Sequence, residues 1–145
     1  MRDEGFTLVE LIAVLAILAG IAALAAPSFS RTVASARLRA AASDVRSTFA
    51  RARALAVASS RERSVVLDLS RGEFGVDNEA ARRLPETIRL QAVPAEGGRL
   101  DQGSVRFRFF PDGGGDGAEV AVTAEDGGAL RVTVDPLTGL AEAGT

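Results

Sequence analysis

Polar side chains are missing from Leu11 to Ala26, sixteen consecutive positions near the start of the chain. Counted from Phe6 the apolar run covers 21 residues. At 1.5 Å per residue that is about 31 Å of helix, the thickness of a bilayer core. Glu10 is its one ionisable member. Pro27 follows, and it is expected to bend the helix because proline lacks an N–H and crowds the preceding turn. Beyond it Phe29, Val33, Ala36, Ala40, Val45, Phe49, Ala52, Leu55 and Ser59 recur mostly every three or four residues, with arginines largely between them. That spacing predicts an amphipathic helix continuing the apolar one to about Ser60. The whole helix would be about 55 residues, or roughly 80 Å.

After Ser60 the period becomes two. Ser64 to Leu69 reads as a strand, with a turn at Ser70–Gly72 into Glu73 to Val76. Thr87 to Val93 is bounded by Pro85 and Pro94, and Val105, Phe107 and Phe109 alternate with Arg106 and Arg108. Glu119 to Thr123 and Leu130 to Val134 flank Glu125-Asp126-Gly127-Gly128, a hairpin turn with glycine for the positive φ such turns need. A last turn at Pro136 to Gly139 precedes a short edge segment. The fold class expected is α+β. A long N-terminal helix, with a transmembrane half over 6–26 and an amphipathic half over 27–60 bent at Pro27, packs on an antiparallel β-sheet or β-sandwich domain over 61–145.

Composition narrows the chemistry. The chain has 145 residues, no cysteine and no histidine, which removes disulfide scaffolds, Cys/His zinc sites and every nucleophile–histidine arrangement. All 17 basic residues are arginine. From Ser28 to Arg63 eight arginines face Asp44 and Glu62, a net of +6; from Ser64 onward eight face fourteen acids, a net of −6. The two parts could attract each other or attract different neighbours. Ala23 to Ala26 could also serve as a signal-peptide cleavage site, giving a soluble product starting near Pro27. The helical pattern that runs on past Pro27 is not what a signal peptide predicts.

Candidate catalytic and metal sites are weak. The loop from Phe110 to Gly117 is rich in glycine, but the chain has no lysine and no helix pattern follows, so it is not a phosphate loop. Asp112 and Asp116 would give calcium two oxygens where six to eight are usual, so a hairpin loop is the simpler reading. Glu125 and Asp126 adjoin a turn and read as its solvated face. No enzyme activity, cofactor or metal is expected. The helix arginines could meet DNA phosphates, yet the C-terminal stretch from Gly139 carries Glu142 and no base. Nucleic acid is not expected among the partners.

Gly5, Phe6, Thr7, Leu8, Val9 and Glu10, then the apolar run, then Pro27, resemble the N-terminus of type IV pilin-like proteins. The resemblance implies a leader of residues 1–5, cleavage between Gly5 and Phe6 by a membrane-embedded prepilin peptidase, and N-methylation of Phe6. It also implies a role for Glu10, whose charge in lipid is otherwise costly. Its carboxylate could pair with the new amine of its own Phe6 at i, i+4 spacing or with that of a neighbour, setting register in assembly. The alternative is a glutamate near the headgroups, stabilised by the helix N-terminus.

The remainder resembles the H-type minor pseudopilins of type II secretion and the related FimT pilins. The resembling parts are the helix end from Asp44 to Ser60, the Val-Val-Leu strand, Phe110 to Gly113, and Val134 to Gly139. The resemblance implies two antiparallel sheets against the helix. It implies a structural subunit that helps to initiate or cap a secretion pseudopilus, anchored in the bacterial inner membrane with its C-terminal domain in the periplasm. The partners implied are the prepilin peptidase, other major and minor pseudopilins, the inner-membrane assembly platform and, before assembly, membrane lipid. The other reading is a FimT-like minor pilin for DNA uptake.

Overall fold

A computed structural model describes residues 7–94 and 97–144, with the side chains of 23–31 outside the description. The chain forms two units, Met1–Ser35 and Ala36–Thr145. Among the described residues one helix, α1 (Leu8–Ser59), enters both and is followed by eight strands.

In the first unit Thr7 caps α1. Its hydroxyl oxygen accepts the Glu10 N–H at 3.3 Å, which satisfies one of the free donors of the first turn. From Leu8 to Ile21 every large apolar side chain is at least 42% exposed, on all sides of the helix. A helix apolar all round is stable where lipid or other protein covers it.

In the second unit the helix buries one stripe: Leu38, Ala41, Ala42, Val45, Thr48, Phe49, Ala52 and Ala56. Val45, Phe49 and Ala52 fall where the spacing put them, but Ala36 and Ala40 are exposed. The stripe passes instead through Leu38, Ala41 and Ala42. With alanine on every side of this segment, the larger Leu38 decides which face turns inward, since it removes more apolar area from water. The helix ends at Ser60, whose φ of 49° is left-handed. Arg61 N–H then reaches Ala56 O and Ser60 N–H reaches Val57 O, both at 3.3 Å, a Schellman closure of the last turn.

The strands are β1 (Arg63–Asp68), β2 (Glu73–Val76), β3 (Arg82–Arg83), β4 (Ile88–Pro94), β5 (Ser104–Phe109), β6 (Ala118–Ala124), β7 (Ala129–Val134) and β8 (Ala141–Gly144). They make two four-stranded sheets, ordered β3-β2-β1-β5 and β4-β6-β7-β8, and every pairing is antiparallel. This is the α+β, pilin-like architecture expected, a long N-terminal helix on antiparallel sheets. Alternation sorts the faces: Val105, Phe107 and Phe109 point inward while Arg106 and Arg108 point out. One apolar core joins the helix stripe to the inner faces of both sheets. At its centre Phe49 meets Phe107 at 5.7 Å and Phe109 at 6.1 Å between ring centroids, edge to face in both cases.

Candidate functional site

Two regions carry the candidate residues. The first is the N-terminal segment. Gly5 and Phe6, the expected cleavage pair, lie outside the described residues. Thr7 and Glu10 stand at the cap and third helical positions, the spacing of a capping box. Glu10 is exposed in the first turn of α1, where the helix dipole favours a carboxylate. Pro27 lies within α1, and the bend expected at it falls among residues whose side chains are outside the description. Among the described residues no helix is long and apolar enough to cross a membrane. The segment 6–26 expected to do so includes Phe6 and the side chains of 23–26, which are not among them.

The second region is the seam between helix and sheets, where the segregated charge meets. Arg51 donates from Nε and Nη2 to the Glu79 carboxylate, with both short contacts at 2.9 Å. This fork holds the Glu79 carboxyl below its usual range and raises the Arg51 guanidinium, chiefly through the hydrogen bonds and then through charge. The neighbouring contact has the opposite polarity, Arg82 on the sheet reaching Asp44 on the helix at 3.0 Å. Both pairs are solvent-exposed and contribute little to stability. The net positive helix is therefore only partly matched by its own sheets.

Arg53 does more. Its Nε–H is shared between the carbonyl oxygens of Thr138, at 2.7 Å, and Gly113, at 3.1 Å. A single helix side chain thus ties the glycine loop after β5 to the turn after β7. Gly115 N–H adds a bond to Pro136 O at 2.9 Å between the same two loops. Within the loop, Asp112 accepts the Gly114 N–H at 3.0 Å, and the Asp116 carboxylate takes Arg108 Nε and Nη2 at 2.9 and 3.0 Å. The two aspartates weighed as calcium ligands are turned to these bonds. Among the described residues no group of three or more acidic side chains could hold a metal.

The turn itself is organised by Asp135. One carboxylate oxygen accepts the N–H groups of Leu137 and Thr138 and the Thr138 hydroxyl, at 2.9, 2.8 and 3.0 Å. These bonds, those from Thr138 foremost, hold the Asp135 carboxyl below the ordinary aspartate range. A folded-state value below the unfolded one stabilises the fold above about pH 3.9, and that stability is lost as pH falls through the lower folded value. Asp135→Asn is therefore expected to lower stability at neutral pH and to flatten its fall as pH drops below the ordinary aspartate range. Melting temperatures across that fall check it. An unchanged acid limb would mean that other carboxylates govern it.

Sequence reasoning gave no role to Thr7 as a cap, to Arg53 as a clamp or to Asp135 as the organiser of its turn. Thr-x-x-Glu before an apolar run was a legible cap. Arg53 stands four residues after Phe49, but Arg46 stands likewise four after buried Ala42, so spacing alone did not single it out.

Residues 1–26 match the family model described as the prokaryotic N-terminal methylation motif. Residues 41–138, most of the chain, match the one described as type II transport protein GspH. No curated protein and no solved structure matches the chain.

Proposed function

Because this chain belongs to the type II transport protein GspH family, a pilin-like structural family, we propose that it is a minor pseudopilin that helps to initiate or cap a secretion pseudopilus. The observation that carries the reading is the tandem of a methylation motif over 1–26 and a GspH region over 41–138, with the helix Leu8–Ser59 entering both. In this reading residues 1–5 are a leader, and prepilin peptidase cleaves between Gly5 and Phe6 and methylates the Phe6 amine. Residues 6–26 hold the subunit in the inner membrane, and the amphipathic half over 27–60 and the β domain over 61–145 stand in the periplasm. The exposed apolar side chains from Leu8 to Ile21 support an environment of lipid first and of neighbouring helices after assembly. Glu10 sets register by pairing with a Phe6 amine, and Pro27 bends the helix so that the β domains pack outside the filament. The partners are other pseudopilins and the inner-membrane assembly platform.

The test is a deletion strain complemented with the wild-type chain or with Glu10→Ala, scored for export of extracellular enzymes and for DNA uptake. Lost export that wild type restores and Glu10→Ala does not, with membrane level and Gly5 cleavage unchanged, is the expected result. Lost uptake with normal export would move the chain to a DNA-uptake pilus. Full rescue by Glu10→Ala would remove the register role.

A further inference from the structure

Arginine and acid are interleaved along most of this chain, with one exception. From Asp44 to Thr145 there are 13 arginines and 16 acids. From Leu11 to Ser43 there are three arginines, Arg31, Arg37 and Arg39, and no acid. Uncompensated positive charge is therefore confined to one short stretch, immediately behind the apolar run that ends at Ala26.

The stretch belongs to α1, and Arg37 and Arg39 are exposed on it. Among the described residues no ion pair joins Arg37 to an acid. Asp44, the next acid along the helix, is taken by Arg82 at 3.0 Å. Across the fold, Leu38 lies beside Gly128, on the turn that carries Glu125 and Asp126. Asp126 there accepts the Gly128 N–H at 3.1 Å. Two carboxylates against three guanidinium groups leave the stretch net positive.

In a chain held in a membrane by residues 6–26, this charge has a cost. Arginine behind a membrane segment is favoured on the cytoplasmic side and opposed on the exported side. Counted along the helix at 1.5 Å per residue, Arg31 stands about 8 Å past Ala26, the depth of the headgroup layer. Arg37 and Arg39 stand about 17 and 20 Å past it, and a guanidinium on its long stem can reach back to within about a Debye length of the phosphates. Lipid phosphate is thus the anionic partner that chain order itself brings to these residues. We propose that Arg31, Arg37 and Arg39 form a collar that binds anionic lipid headgroups where the helix leaves the bilayer. Guanidinium groups take phosphate oxygens in pairs, so the contact is directional as well as electrostatic. It holds the subunit at the membrane surface until assembly withdraws it. The collar rests on the membrane reading of residues 6–26 and uses neither the β domain nor the filament.

The full chain is reconstituted in phosphatidylcholine vesicles with a trace of spin-labelled phosphatidylglycerol or of spin-labelled phosphatidylcholine. Electron paramagnetic resonance reports how much of each labelled lipid is immobilised beside the protein. Wild type should select the anionic lipid about fivefold, the effect of one arginine near a surface. Arg31→Gln, Arg37→Gln and Arg39→Gln together should abolish the selection. Arg46→Gln, about 30 Å past Ala26, should leave it unchanged. Equal immobilisation of the two lipids by wild type, or a selection that survives the triple substitution, overturns the collar. Immobilisation of neither lipid would sink the membrane reading itself. No selection by wild type, with a triple variant that fails only to enter filaments in cells, would assign the arginines to a protein neighbour and overturn the collar too.

Discussion

Phe49→Ala is expected to destabilise the β-bearing unit by about 3–5 kcal/mol, the range for removing a fully buried phenylalanine. Phe49 has no exposed surface, and its ring is the meeting point of helix and sheet through Phe107 and Phe109. The substitution leaves a cavity between layers that cannot collapse without moving the helix, and it deletes two edge-to-face contacts as well. In melting temperature the loss should be roughly 10–20 °C for a unit of this size. Thermal unfolding of the full chain in detergent measures it. Phe49→Leu, which keeps most of the volume, should cost only about 1 kcal/mol. Equal losses for the two variants would mean that cavity volume is not what Phe49 supplies.

Gly139→Ala should rank close behind, at about 3 kcal/mol. Gly139 has a φ of +63°, where a side chain costs roughly 1–2 kcal/mol by itself. An added Cβ there would also overlap the Gly113 carbonyl oxygen and press on Arg53 Cδ at 3.0 Å. Both atoms belong to the clamp, so relief would have to break the Arg53 bonds. Gly127→Ala separates the two costs. Its φ is +87° but its Cβ would meet nothing within 4 Å, so only the conformational part, about 1–2 kcal/mol, applies. If both alanine variants melt together, the close approach at Gly139 contributes nothing.

Alternation made the sheets legible. Six strands expected from period-two runs appear within two residues of their expected ends, because each turns one face toward the core. The strand β3 was not legible. It consists of Arg82 and Arg83, both exposed, and exists only because β2 offers an edge. On the helix, Val45 and Phe49 announced the buried face, whereas alanines at nearly every angle left its earlier part ambiguous until Leu38 was seen to be inside. The turn at Asp135 could be placed from its proline and glycine, but not its partner. A hydrogen bond from Arg53 to a carbonyl has no signature in the identity of the accepting residue, since every residue has that oxygen. The expected cleavage pair, Gly5 and Phe6, rests on a resemblance of consecutive residues and lies outside the described residues.

The two acceptors of Arg53 stand 60 and 85 positions further along the chain. Contacts of such separation form late, because the intervening chain must be ordered before they reward it. At a synthesis rate of roughly 5–20 residues per second, the helix is complete about 4–16 s before Thr138 exists. Early in that interval Phe49 lacks Phe107 and Phe109, and through all of it the second sheet is incomplete and Arg53 lacks its Thr138 acceptor. This subunit is therefore born with its apolar helix face waiting on its final turn. Whatever escorts the chain to its destination meets that open face before it meets a finished domain.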